Sequence, residues 1–260
     1  MSLTTSIKSE LIKTKRSSSF WLSLIGAGVI PVIFLLIYLI RPDKVVNQMK
    51  MMPWETHFFQ GYQQFSSLLL PIFVILICSQ IPQIEYKNNT WKQVFASPQS
   101  IGNIFFSKYI AIILMILFLF LMYNIFMILA AVIPSLVHKE ITFLQHPFNW
   151  SQLFELNLKT FVSLLGIISI QYWLSLRLKN FIAPIGIGLA LLIGSMMAFG
   201  FQWEHVFKLP FAFPLLTLVN LPKDGAHAPA LLNHEWNSIA YFVFFTVLAF
   251  LDMKYRKQRG

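Results

Sequence analysis

Six apolar runs, most of them long enough to cross a lipid bilayer, constrain this chain more than any other feature of its sequence. A hydrocarbon core of about 30 Å needs roughly 20 helical residues. Phe20–Ile40 supplies a first span that contains Pro31, and a second runs from about Gln60 to Ile84 with Pro71 and Pro82 as expected kinks. Tyr109–Ile133 is the third. The fourth, about Leu156–Leu176, begins with Asn157 and Lys159, and a lysine there can snorkel to the interface. Phe181–Phe201 is the fifth, and a short sixth covers about Asn237–Asp252. The expected fold is therefore all-α: a polytopic membrane helical bundle forming one transmembrane domain over residues 1–260. Composition agrees, with 57% apolar and only 12% charged residues, against about 25% charged in a soluble domain.

Val206–Pro222 is apolar too, but Lys208, Pro210, Pro214 and Pro222 argue against a continuous spanning helix. A re-entrant or interfacial pair of short helices fits better, provided protein or a wet cavity satisfies the broken backbone. Charge then sets the orientation. With the N-terminus, the second-to-third loop, the fourth-to-fifth loop and the C-terminus on one side, that side holds 13 basic residues against Glu10, Glu85 and Asp252. The other side carries seven of each sign, so the whole net charge of +10 lies on one face. The positive-inside rule makes that face cytosolic and puts the chain in the cell (inner, cytoplasmic) membrane with both termini inside. A seventh span through Val206–Pro222 would move the basic C-terminus outside.

Basic residues next to span ends suit anionic lipid headgroups rather than nucleic acid. The single cysteine, Cys78, sits in an apolar run as a small packing residue and allows no intrachain disulfide. The first nineteen residues are basic and polar, and the apolar run after them is too long for a signal-peptide core, so it is read as an uncleaved span.

Two segments at the basic face invite function. In residues 1–19, Leu3, Ile7 and Leu11 recur every four residues with Ile12 beside them, which predicts an amphipathic in-plane helix. It is either a basic anchor that fixes orientation or a link to a cytosolic partner. In the second-to-third loop, Thr90–Phe95 predicts a short helix with Trp91, Val94 and Phe95 on one side and Lys92 elsewhere, stopped by Pro98. Ser100 is the expected cap of the helix that enters the third span. The short helix is either a docking knob with exposed aromatics or a connector resting on headgroups with Trp91 at the interface. Glu85, ending the second span, would pair with a basic residue of a partner or cap the short helix.

Glu85 at the end of a span, the Thr90-Trp91-Lys92 turn, Ser97-Pro98, and Lys108-Tyr109 opening the third span resemble the membrane subunits of type 2 ABC exporters. The likeness is greatest to the small permeases of lantibiotic self-protection and related peptide-exporter groups. The resemblance implies that the N-terminal helix and the Glu85–Pro98 loop contact a cytosolic ABC ATPase subunit. It implies a re-entrant helical pair between the fifth and sixth spans, and a second permease copy or a related permease beside this one. ATP and Mg would be bound by the partner ATPase, with no cofactor on this chain.

The chain has no Gly-x-x-x-x-Gly-Lys-Ser/Thr phosphate loop, so it is not expected to hydrolyse nucleotide by that route. No Gly-x-Ser-x-Gly or His-Glu-x-x-His motif suggests another enzyme. The spans are read as free of buried Asp, Glu, Lys or Arg, which argues against proton coupling and for energy supplied from outside the chain. Asn124 and Gln171 are polar residues within spans, either interhelical hydrogen-bond donors or substrate contacts along a pathway. The six histidines, His57, His138, His146, His205, His227 and His234, fall on the outer side, where metal binding or pH sensing competes with chance placement. Against an exporter of a hydrophobic or amphipathic cargo such as a peptide stand a membrane enzyme acting on lipid and a non-transporting scaffold.

Overall fold

Six helices in the computed structural model, which describes residues 2–15, 17–43, 52–221 and 231–255, are long and apolar enough to cross a membrane. The helices are α1 (Leu3–Thr14), α2 (Ser18–Ile40), α3 (Pro53–Gln64), α4 (Leu70–Lys87), α5 (Trp91–Ala96), α6 (Ile101–Val137), α7 (Trp150–Arg177), α8 (Ile182–Gly200), α9 (Phe213–Val219) and α10 (Asn233–Tyr255). The described residues contain no strand. Spans two, three and four outrun the apolar cores that announce them. The 37 residues of α6 extend roughly 55 Å at about 1.5 Å per residue, well beyond a hydrocarbon core. Polar caps begin these extensions: Ser100 Oγ accepts the Asn103 N–H at 3.1 Å, as its position predicts, and Asn149 Oδ1 accepts that of Gln152 at 3.2 Å.

α3 and α4 form one 35-residue path, Pro53–Lys87, joined by a π-helical turn over Phe65–Leu69. Pro71 explains the widening. It has no N–H to donate, and its ring would press on the carbonyl four residues earlier; an extra residue in the preceding turn relieves both. Pro31 and Pro82 lie inside α2 and α4, which continue through them.

α2 packs along α6, and α7 along both α4 and α10. The shared core is apolar and aromatic: Phe65, Ile75, Ile112, Leu119, Tyr123 and Ile167 are wholly buried. Cys78 is buried among them, the packing role expected of it. At Gly188, α8 lies so close to α7 and α4 that a Cβ would sit 2.6 Å from Gln171 Oε1 and 2.9 Å from Ile75 Cγ2. Gly188→Leu is expected to lower stability by about 1–3 kcal/mol through overpacking. Gly186→Leu, on the same helix with nothing within 4 Å of its Cβ position, should be nearly neutral. Thermal unfolding midpoints of the two detergent-solubilised variants make the comparison.

Val206–Lys208 and Pro210–Ala212 are single 3₁₀ turns that lead into the seven-residue α9, so this stretch does not span. Instead it folds into one end of the bundle, with Phe211, Phe213, Pro214 and Leu218 buried. Tyr241 Oη donates to the Lys208 carbonyl at 3.0 Å, and Asn237 Nδ2 to that of Phe207 at 3.0 Å. Pro222 lies outside the described residues.

At the other end of the bundle α1, α5, the α7–α8 junction and the end of α10 come together. Gln83 Nε2 donates to the Leu178 carbonyl at 3.0 Å, and Tyr86 Oη to that of Leu176 at 2.7 Å. Arg177 lies 3.7 Å from Asp252. Lys8, Lys15, Lys87, Lys92, Lys179 and Lys254 crown this basic end.

Candidate functional site

α1 starts at Ser2, whose Oγ accepts the Thr5 N–H at 3.3 Å. The face it turns to the bundle is Ser6, Glu10 and Thr14, not the Leu3–Ile7–Leu11 face that hydrophobic periodicity singles out. Leu3 and Ile12 are exposed, while Ile7 and Leu11 are half-buried. That arrangement has a solvent cause. At a membrane surface the apolar face can turn to lipid, and the polar face then packs on protein, if partners are there to satisfy it.

Those partners exist. Ser6 Oγ donates to Gln99 Oε1 at 3.0 Å. Glu10 Oε2 accepts from Lys108 Nζ at 2.9 Å, and Glu85 Oε1 accepts from the same ammonium at 2.7 Å. Lys13 Nζ closes the ring, 2.8 Å from Glu10 Oε1 and 3.0 Å from Glu85 Oε1. Two carboxylates and two ammonium groups thus alternate in a neutral network that ties α1, the end of α4 and the start of α6 together. Lys108 is 0% and Glu85 1% exposed. The Glu85 side chain therefore makes its strong contacts inside this network, while its backbone carbonyl accepts the Thr90 N–H at 3.0 Å at the start of α5.

Burial by itself would raise the Glu10 pKa, but Lys108 and then Lys13 outweigh it and hold the carboxyl below its ordinary 4.5. Burial would lower that of Lys13, but Glu10 and Glu85 hold it above its ordinary 10.5. The lowered carboxyl stabilises the fold above about pH 4.5 and loses that contribution as pH falls through its folded value. The raised ammonium stabilises below about pH 10.5 and loses its share as pH climbs past that. Thermal stability is thus expected to be flat from about pH 6 to 9 and to fall below about pH 4.5; Glu10→Gln should shallow the acid limb in a pH series of melting curves.

The loop helix α5 follows one residue later than expected, from Trp91 to Ala96, and Thr90 at its N-cap makes no side-chain capping bond. Its aromatic side is half-buried rather than free. The Trp91 ring packs on Tyr86 and Phe95 at centroid distances of 5.3 and 5.4 Å, with Lys108 Nζ 5.5 Å from its centre. A desolvated cation over an indole is strongly held, so Trp91 belongs to the network's wall. Val94 and Phe95 are half-buried, and Lys92 and Pro98 are exposed. An open cavity of about 410 Å³ lies between α1 and this loop, lined by residues including Ser9, Glu10, Lys13, Glu85, Gln93 and Ser97.

Elsewhere, Asn124 and Gln171 are both used between helices. Asn124 Nδ2 donates to Asn157 Oδ1 at 2.7 Å, which also accepts from Tyr62 Oη at 2.6 Å. Gln171 Nε2 donates to Ser79 Oγ at 2.9 Å and to the Pro184 carbonyl at 2.7 Å. Tyr62 and Asn157 were invisible as partners, since their meeting depends on which faces of α3, α6 and α7 touch.

The spans are not free of buried charge, which corrects the sequence reading. Besides Glu85 and Lys108, Lys159 of α7 lies buried 3.9 Å from Glu235 of α10, so it pairs instead of snorkelling. His234 beside it meets Thr217 Oγ1 at 2.8 Å and ties α10 to α9. His57 sits in α3 within the second span, not in a loop, between Tyr38 Oη at 2.8 Å and the Met127 carbonyl at 2.9 Å. Among the described residues no three His, Cys, Asp or Glu gather to hold a metal ion, and His227 lies outside them.

A six-span helical bundle with a polar-faced N-terminal helix locked to the loop between its second and third spans is a polytopic membrane protein. Residues 6–195 match the family described as ABC-2 family transporter protein, and the chain belongs to that family. It is the membrane component, the permease, of an ABC transporter, not an enzyme itself, and its family implies work with an ABC ATPase subunit. A search of curated proteins found no match.

Proposed function

We propose that this chain is the permease of an ATP-driven exporter in the cell membrane, with the basic end and both termini in the cytosol. It pairs with a second copy or a related permease, within membrane lipid. ATP and Mg belong to the separate ATPase subunit, and the cargo is hydrophobic or amphipathic, a peptide of the lantibiotic class being the leading candidate. What carries this reading is the ion network. It makes α1, α5 and the entries to two spans one rigid block, so a push on α5 is passed to the transmembrane helices instead of being lost in a soft loop. The scaffold reading has no use for such a block.

The tagged permease purified from its native membranes should bring an ATPase subunit whose hydrolysis responds to cargo. Phe95→Ala should weaken that association on the order of 30-fold, the cost of about 2 kcal/mol for an interface aromatic, with the permease still monodisperse. A permease that purifies from native membranes with no nucleotide hydrolase would end this proposal. Orientation has its own test. In a Cys78→Ala background, Asn89→Cys and Lys179→Cys should resist an impermeant thiol reagent in intact cells, and Asn149→Cys should react; the reverse pattern would invert the bundle.

A further inference from the structure

We infer that the cavity between α1 and the loop helix α5 is a socket for one basic side chain of the soluble partner, an arginine in preference to a lysine. The inference rests on the ATPase-partnered reading above and adds what the partner must present.

The lining is mixed, with apolar wall from Ile84, Val94 and Ile104 beside a cluster of oxygen-bearing groups. Glu10 and Glu85 face a single lining lysine, Lys13, and Ser9, Thr90, Gln93 and Ser97 add hydroxyl and amide groups. Lys108, which offsets the second carboxylate, is wholly buried behind the wall. Glu85 Oε1 takes both lysines, while its Oε2 is buried and has no hydrogen-bond partner among the described residues. An unmet carboxylate oxygen that deep is costly, and a donor entering the cavity would meet it after a small rotation of the carboxylate. The volume, about 410 Å³, is at the small end of ligand sites and suits one long side chain rather than a helix. A guanidinium has five donors in a flat fork to spread over such acceptors; an ammonium has three at a point.

The surroundings sharpen the choice of partner. Lys8, Lys15, Lys87 and Lys92 are all exposed around this end, so a partner surface that is basic throughout is repelled. A surface that is acidic throughout suits the rim and meets carboxylates at the centre. Only a cation ringed by acidic groups matches both, which makes the charge pattern a device for partner choice.

Gln93 tests this without touching the ion network, because it lines the cavity yet is solvent-exposed on α5. Gln93→Arg places a tethered guanidinium in the socket and should cut the ATPase retained at low salt by about tenfold or more, as like charge at an interface does. Gln93→Met, of similar length without charge, should retain it. Each exposed Arg and Lys of the copurified ATPase is then changed to Glu, and the one that fills the socket should lose binding to the parent and regain it with Gln93→Arg. Equal retention by the Arg and Met variants, equal loss in both, or no rescued charge swap overturns the socket while leaving the ATPase partnership standing. Absence of any ATPase from the parent preparation removes the partnership and the socket together.

Discussion

Lys108→Met is expected to be the most damaging single substitution at the basic end. Its ammonium, 0% exposed, holds Glu10 and Glu85 at 2.9 and 2.7 Å. Removing it leaves two buried carboxylates to share Lys13, and breaking a buried pair from one side costs about 3–5 kcal/mol. It also takes the cation from the face of Trp91, which keeps its ring contacts with Tyr86 and Phe95. The unfolding midpoint in detergent should fall sharply, and Trp91 emission should shift as the loop helix loosens. Lys108→Met combined with Glu85→Gln restores neutrality, leaving Glu10 and Lys13 paired at 2.8 Å. The double variant should recover a large part of the loss, because what hurts is the uncompensated charge rather than the missing bond. A single variant as stable as the parent, or a double variant worse than the single, would show that the network contributes nothing electrostatically.

Lys159→Met should be nearly as costly at the opposite end, by the same about 3–5 kcal/mol for a buried charge left without its counter-ion. Glu235 is 0% exposed; its Oε2 accepts the Leu232 N–H at 2.7 Å, but its Oε1 has no hydrogen-bond partner among the described residues. The damage should spread to α9, since His234, the next residue, holds Thr217. A cysteine at Thr217, protected in the parent, should become open to thiol reagents in the variant. Continued protection of that position, with an unchanged midpoint, would mean that α9 is held by its apolar contacts alone. Here, too, the sequence pointed the wrong way: a lysine at the start of a span reads as snorkelling, and only α10 supplies the carboxylate that lets it turn inward.

Several features were legible because they depend on local chemistry. Apolar runs of about 20 residues declare spanning helices whatever surrounds them, and three prolines within Val206–Pro222 forbid another one. Ser100 and Pro98 bracket the turn between α5 and α6 for reasons internal to a few residues. The uneven distribution of lysine and arginine separates the two ends of the bundle by counting alone. Span lengths were underestimated, because a helix continues into polar sequence wherever neighbouring helices pack against it, and hydropathy sees only the part that lipid requires.

What the sequence by itself determined is the class of fold, the number of spans, the non-spanning segment before the last one and the two short helices at the basic end. The tertiary structure decided how those helices are joined. Glu10, Glu85 and Lys108 are separated by 75 and 23 positions, and no periodicity connects residues on three different helices. Periodicity finds the apolar face of α1 without saying whether lipid or protein will cover it. In water an apolar face must turn to the core, but at a bilayer it has a second apolar phase to enter. The polar face of α1 could then become the buried one, and its burial is stable because Lys108 waits behind it.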